Sequence, residues 1–128
     1  MEKKIVSPAG APAPIGPYSP GVKIGGFLYT SGQIGVNPAT GTLEGYTLEQ
    51  EIHQVMQNLQ RILAAEGYTF EHVIKTTIFL KNMDDFAKVN EVYGSYFKEG
   101  NYPARETVQV ARLPKDVNVE ISMIAYKP

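Results

Sequence analysis

Asn90, Arg105 and Glu120 are polar residues whose positions ask for a chemical reason. Asn90 sits among Phe86, Val89, Tyr93 and Phe97, which recur at the spacing of one helical face. An unpaired amide buried in such a stripe costs about 1–3 kcal/mol, so Asn90 either caps a nearby loop or serves a site. Arg105 opens an extended segment directly after Tyr102-Pro103-Ala104, and the fixed φ of proline gives its guanidinium a defined aim. On residue type alone it reads as a surface or ion-paired arginine. Glu120 lies mid-strand between Val119 and Ile121. A carboxylate there is either solvent-facing or paired, and a partly buried one has a tunable pKa suited to handling protons. If the strands carrying Arg105 and Glu120 pair directly through the Leu113-Pro114-Lys115-Asp116 turn, residues 107 and 120 stand opposite and Arg105 is diagonal to Glu120. If another strand intervenes, the two can still converge across the sheet or at a subunit boundary.

Other chemistries find little support. The chain has no cysteine, which excludes disulfides, thiolate nucleophiles and Cys-ligated metals. His53 and His72 sit on different elements with no HxH, HExxH or carboxylate cluster beside them, so no metal site is expected. His53 falls beside an apolar helical stripe and reads as a solvated or packing residue. Gly25-Gly26 lacks a phosphate-loop pattern, and Ser19 in Gly16-Pro17-Tyr18-Ser19 is followed by proline, not by the glycine of a nucleophile elbow. Twelve basic residues balance thirteen acidic ones for a net charge of -1, so no bulk field recruits nucleic acid or an anionic membrane. No run approaches a membrane span and no signal-peptide stretch appears; a cytoplasmic protein is expected.

The elements that must position these side chains follow from periodicity. With 128 residues, 43% of them hydrophobic, one domain over residues 1–128 is expected. Residues 7–20 carry five of the nine prolines and predict an ordered or semi-ordered arm, neither helix nor central strand. Val22–Gln33 reads as two short strands turning at Gly25-Gly26, and residues 37–45 as a turn-rich connection. Ile52, Val55, Met56, Leu59, Ile62 and Leu63 mark the first helix, with Thr47 and Gln50 as its capping box and Gly67 past its last turn. His72–Leu80 is a strand whose core face holds Ile74, Ile78 and Leu80. A second helix is predicted over 84–98, with Asn82 as cap and Gly100 as stop. Strands over 105–111 and 117–126 close the chain, and Lys4–Val6 offers an extra one. The order β-β-α-β-α-β-β places both helices on one face of a sheet. The strand–helix–strand unit from 72 to 111 favours a right-handed parallel crossover with room for another strand between. On the last strand, Val117, Val119, Ile121, Met123 and Ala125 share the apolar side; on the strand before it, Val108 and Val110 oppose Arg105, Thr107 and Gln109. An apolar helix-side face with a mixed second face suits an oligomer assembled around that second face.

The motifs resemble those of the RidA/YjgF family. Pro103-Ala104-Arg105, Val108, Leu113-Pro114 and Val119-Glu120-Ile121 look like its C-terminal signature. GPYSPG at 16–21, FLYTSGQIG at 27–35 and VNEVYGSYF at 89–97 are similar to its earlier segments, so the resemblance covers nearly the whole chain. It implies a chorismate-mutase-like α+β fold: a mainly antiparallel mixed sheet of about six strands with two helices on one face. It further implies a homotrimer with sites at subunit interfaces, no metal and no cofactor. The implied activity is hydrolysis of reactive 2-imino acids, 2-iminobutanoate and 2-iminopropanoate, to 2-keto acids and ammonia. The positions that match the family's site are Tyr18, Ser31, Gly32, Asn90, Arg105 and Glu120. In that reading Arg105 binds the substrate carboxylate through its planar fork of donors. Glu120 holds the water or moves its protons, Tyr18 closes the cleft, and Ser31, Gly32 and Asn90 orient the substrate.

The chain departs from the family's pattern at three places. Glu106 replaces a small residue and brings a negative charge close to Arg105. Thr107 stands where many members have cysteine and contributes to the substrate pocket without a thiol. Pro20 replaces a polar residue. Two other functions compete with the hydrolase: an RNA-binding, endoribonuclease or translation-inhibitor role, and a small-molecule binding module without turnover. The lysines at 3, 4, 23, 75 and 81 are scattered, with no interleaved aromatics, which disfavours the nucleic-acid role.

Overall fold

The computed structural model describes residues 2–9, 14 and 16–128; positions 10–13 and 15 of the predicted arm lie outside them. Among the described residues, eight strands and two α-helices follow one another: β1 (Lys4–Val6), β2 (Gly21–Ile24), β3 (Phe27–Thr30), β4 (Val36–Asn37), β5 (Thr42–Leu43), α1 (Leu48–Ala64), β6 (Val73–Leu80), α2 (Phe86–Gly94), β7 (Ala104–Gln109) and β8 (Val119–Tyr126). Six of the strands form one sheet in the order β1-β2-β3-β8-β6-β7. Every neighbouring pair in it is antiparallel except β6 with β7. The result is the α+β fold expected, plus a small β4–β5 hairpin within the turn-rich connection.

The core forms because α1 and α2 present their apolar stripes to the same sheet face. Ile52, Met56, Leu59 and Leu63 of α1 and Val89 and Val92 of α2 pack on Leu28, Ile78, Leu80, Val119 and Ile121, all buried. Burying each such side chain stabilises the fold by roughly 1.5–3 kcal/mol before entropy is counted. Thr47 closes α1 with the predicted capping box, its Oγ1 accepting from Gln50 and the Gln50 side chain accepting from the Thr47 N–H. Gly67, at φ 78°, lets the chain reverse so that Tyr68 N–H reaches Leu63 O at 3.0 Å. The Gly25-Gly26 turn is present, with Ile24 opposite Phe27.

Four expectations are corrected. No strand stands between β6 and β7; they pair directly, Thr76 with Arg105 and Ile78 with Thr107. For Arg105 and Glu120, both arrangements were open, and the one with an intervening strand holds: β8 lies on the other side of β6, so β7 and β8 are not neighbours and no diagonal pairing forms. Ile74 is not a core residue: the β6–β8 register shifts between Val73 and Lys75, which turns Ile74 outward to 47% exposure and gives Val73 the inner place. The second helix is shorter, because Met83–Asp85 forms a 3-10 turn capped by Asn82. Past Gly94, Tyr96 and Phe97 donate to Tyr93 and Gly94 in tighter three-residue turns. The parity of β7 is also inverted. Its register with β6 aims Arg105 and Thr107 toward the helices and leaves Val108 on the outer face, 43% exposed. That outer face also exposes Ile5, Phe27 and Tyr29, making it more apolar than the alternation of β8 alone suggests.

Candidate functional site

An irregularity in β3 builds the first part of the site. Tyr29 faces Ile124 and Gln33 faces Ile121, so residues 30–32 span a stretch that only 122 and 123 span on β8. The extra residue bulges the strand. Thr30 Oγ1 replaces the missing backbone acceptor and takes the Met123 N–H at 2.9 Å. Ser31 then turns to the arm, donating from Oγ to Ser19 O at 2.6 Å and from N to Pro20 O at 2.8 Å. Gly32 comes to rest against Glu120: a Cβ on it would stand 2.7 Å from Glu120 Cδ and 2.9 Å from Oε2. A side chain at position 32 would have to displace the carboxyl, which already occupies that space.

These residues open into a cavity of about 660 Å³, where Tyr18, Ser31, Gly32 and Glu120 meet Pro114 and Lys115. Tyr18 is 54% exposed at its mouth. Burial holds the Glu120 carboxyl above the usual carboxylate range. Such a group exchanges protons closer to neutral pH than an exposed glutamate does.

Arg105 heads a second cluster on the other side of the sheet. Its Nη1 donates to Asn90 Oδ1 of α2 at 2.7 Å, and its guanidinium carbon lies 5.5 Å and 5.3 Å from the Phe86 and Tyr93 ring centroids. Tyr93 is fixed in turn, its hydroxyl donating to buried Thr76 Oγ1 at 2.9 Å; burial raises its pKa, against the Thr76 hydrogen bond and the Arg105 charge. Among the described residues no carboxylate pairs with Arg105. Thr107 lies two residues on, its hydroxyl oxygen enclosed and without a hydrogen-bond partner among the described residues. Glu106 points to the opposite face and forms an ion pair with Lys75 of β6, so its charge is directed away from Arg105 and neutralised locally.

The predicted site residues therefore fall into two sets within one chain. Tyr18, Ser31, Gly32 and Glu120 share the cavity; Asn90, Arg105 and Thr107 gather on the α2 side. Strand β6 separates the sets, and Arg105 and Glu120 leave their strands toward opposite faces. Two polar residues of α1 were missed by the sequence reading. Asn58 donates to Ile34 O and Val36 O at 3.0 and 2.9 Å. Glu51 accepts from Asn118 N and Nδ2 at 2.9 and 2.7 Å. Their signal was available: both sit next to apolar-stripe residues, where an amide or carboxylate needs partners. His53 packs as expected, its Nδ1 2.7 Å from Tyr96 Oη.

Comparison with known proteins fixes the family. The endoribonuclease L-PSP family matches residues 8–127. The chain belongs to this family, also called RidA/YjgF. A RutC family protein of Synechocystis is 50% identical over all of this chain and 99% of its own. The 2-iminobutanoate/2-iminopropanoate deaminase of Mus musculus is 46% identical, covering 98% of this RidA/YjgF chain and 92% of the mouse protein. Among solved structures, Escherichia coli TdcF with bound serine superposes with a TM-score of 0.91 at 42% identity, over 98% of this chain and 99% of TdcF. Among the described residues no helix is long and apolar enough to cross a membrane.

Proposed function

We propose that this protein hydrolyses short 2-imino acids to 2-keto acids and ammonia, at clefts completed between neighbouring copies of a homotrimer. The observation that carries the reading is the state of Arg105. It is a half-buried guanidinium, oriented by Asn90 and two aromatic rings, with no carboxylate of its own among the described residues. A partly buried cation left open in this way suits an anionic ligand. Its planar donors suit the carboxylate that every 2-imino acid carries beside the C=N carbon. The mouse relative's named activity is of this kind.

The chemistry then needs water and proton traffic, not a strong nucleophile. Water attacks the C=N carbon and Glu120 accepts one of its protons. That proton passes to nitrogen and leaves a carbinolamine; its hydroxyl proton then moves to nitrogen, again through Glu120, as the C–N bond breaks, the C=O bond forms and ammonia leaves. Ser31 spends its proton on Ser19 O, so toward a ligand its oxygen is an acceptor, and its main task is to hold the arm that carries Tyr18. Because Glu120 and Arg105 diverge within one chain, the reading requires Arg105 of one copy to meet Glu120 of the next. The exposed apolar outer face of the sheet supports such an assembly.

The test uses 2-imino acids generated freshly from amino acids by an amino-acid oxidase, with release of keto acid and ammonia followed in time. Acceleration over buffer is expected. A well-folded oligomer that gives none, or that cleaves RNA instead, defeats the proposal. Gly32→Ala supplies a sharper check. Its Cβ must displace the Glu120 carboxyl, and a shift of that size costs about 10²-fold in kcat/KM with the thermal melt nearly unchanged.

A further inference from the structure

The cavity wall beyond Glu120 contains a segment that L-residues do not adopt unaided. Lys115 (φ 56°, ψ 19°) and Asp116 (φ 55°) are consecutive non-glycine residues in the left-handed region. Such a conformation persists only where the surroundings over-determine it. Leu113 and Val117, both buried, anchor the segment at either end, but apolar packing alone does not fix the twist between them. Backbone hydrogen bonds from Asp116 N to Leu113 O and from Val117 N to Pro114 O close the turn, and two carboxylates tie its flanks. On the outside, Asp116 grips the Arg112 guanidinium at 2.7 and 3.1 Å. Both of those side chains are exposed, so water and salt compete for the pair.

The inner tie is different in kind. Glu51 is 7% exposed and takes both the backbone N–H and the side-chain amide of Asn118. Gly35 packs on it so closely that a Cβ there would lie 3.1 Å from Glu51 Cγ. Asn118 precedes Glu120 by two residues, and Gly35 follows Gly32 by three. One buried carboxylate on α1 thus touches both chain segments that bring Glu120 and Gly32 together. The chemistry proposed above does not use Glu51.

We infer that Glu51 is a positioning residue for Glu120, holding the start of β8 and the left-handed turn so that the Glu120 carboxyl stays seated against Gly32. The kinetic part of this inference rests on the deaminase reading; the structural part does not. Lys115 and Arg61 are the charged groups lining the cavity beside Glu120, and Tyr18 is its other titratable group. Among the described residues no side chain hydrogen-bonds the Glu120 carboxyl, so its seat depends on the walls around it.

The experiment compares Glu51→Ala, Glu51→Gln and Asn118→Ala in the full chain. The Glu120 carboxyl is titrated by carbon NMR, its signal assigned by its loss in Glu120→Gln, and kcat and KM are measured on a 2-imino acid. Glu51→Ala should lower kcat about tenfold with KM nearly constant. It should also bring the Glu120 pKa down toward the ordinary carboxylate range as water enters. Glu51→Gln keeps an acceptor for the Asn118 N–H and should restore most of both. A folded Glu51→Ala protein with wild-type Glu120 titration and kcat overturns the inference. So does a Glu51→Gln protein as impaired as the alanine variant. If Glu51→Ala does not fold, Asn118→Ala decides: an intermediate shift supports the inference and a wild-type titration defeats it. A wild-type protein without imine hydrolysis, whose Glu120 titration still moves as described, removes the deaminase reading and leaves this inference standing.

Discussion

Arg105→Ala is expected to lower kcat/KM for 2-imino acid hydrolysis by about 10²- to 10³-fold, the usual loss when one partner of a desolvated charge pair is removed. The guanidinium sits between Phe86 and Tyr93 with one N–H given to Asn90, and among the described residues its remaining donors are free for a carboxylate. That contact exists in the bound substrate and in the transition state alike, so most of the loss should appear in KM. Arg105→Lys should recover little. An ammonium can neither donate as a planar fork nor keep the Asn90 contact and both rings in the same geometry. The fold should survive either change, because the neighbouring Tyr93–Thr76 hydrogen bond and the α2 packing do not depend on Arg105. Steady-state kinetics with a thermal melt as control decide the matter. A melt like wild type together with undiminished kcat/KM would remove Arg105 from substrate binding.

The sequence carried much of this site, and its gaps have physical causes. Helix α1 was legible to its caps, since apolar spacing, the Thr47–Gln50 box and Gly67 all agree. β7 was not. Its alternation shows that Arg105 and Val108 face opposite ways, but only the parallel register with β6 decides which one meets the helices. Polarity gave the wrong side, because α2 offers Asn90 and the ring faces that make an arginine tolerable there. Ile74 was misplaced for a related reason: a bulge resets parity, and the apolar run from Val73 to Leu80 hides it. The separation of Arg105 from Glu120 could not be read either. Which strand lies between two others is a property of the whole sheet, not of their spacing in the chain.

Glu120→Gln should lower kcat by about 10²-fold or more, the usual contribution of a positioned proton-transfer group. Glutamine keeps the shape that Gly32 accommodates but cannot accept a proton from water. The wild-type pH profile carries a second signature. Burial favours the neutral carboxyl, so the ionised, proton-accepting form appears only above the ordinary glutamate range of about 4.3. The acid limb of kcat/KM should lie correspondingly high and vanish in Glu120→Gln. Stability moves the other way. A carboxyl whose pKa is raised on folding binds its proton more tightly in the folded state. Stability therefore falls as pH rises from the unfolded to the folded pKa. The glutamine variant escapes that loss and should melt higher than wild type at neutral pH while working worse. Mixing the two inactive variants joins this prediction to the first. If each cleft takes Arg105 from one copy and Glu120 from its neighbour, unfolding and reassembling Arg105→Ala with Glu120→Gln in equal amounts gives intact clefts in about one case in four. Activity should return to about that fraction of wild type. If both residues act within one chain, every cleft in the mixture lacks one of them, and no activity returns.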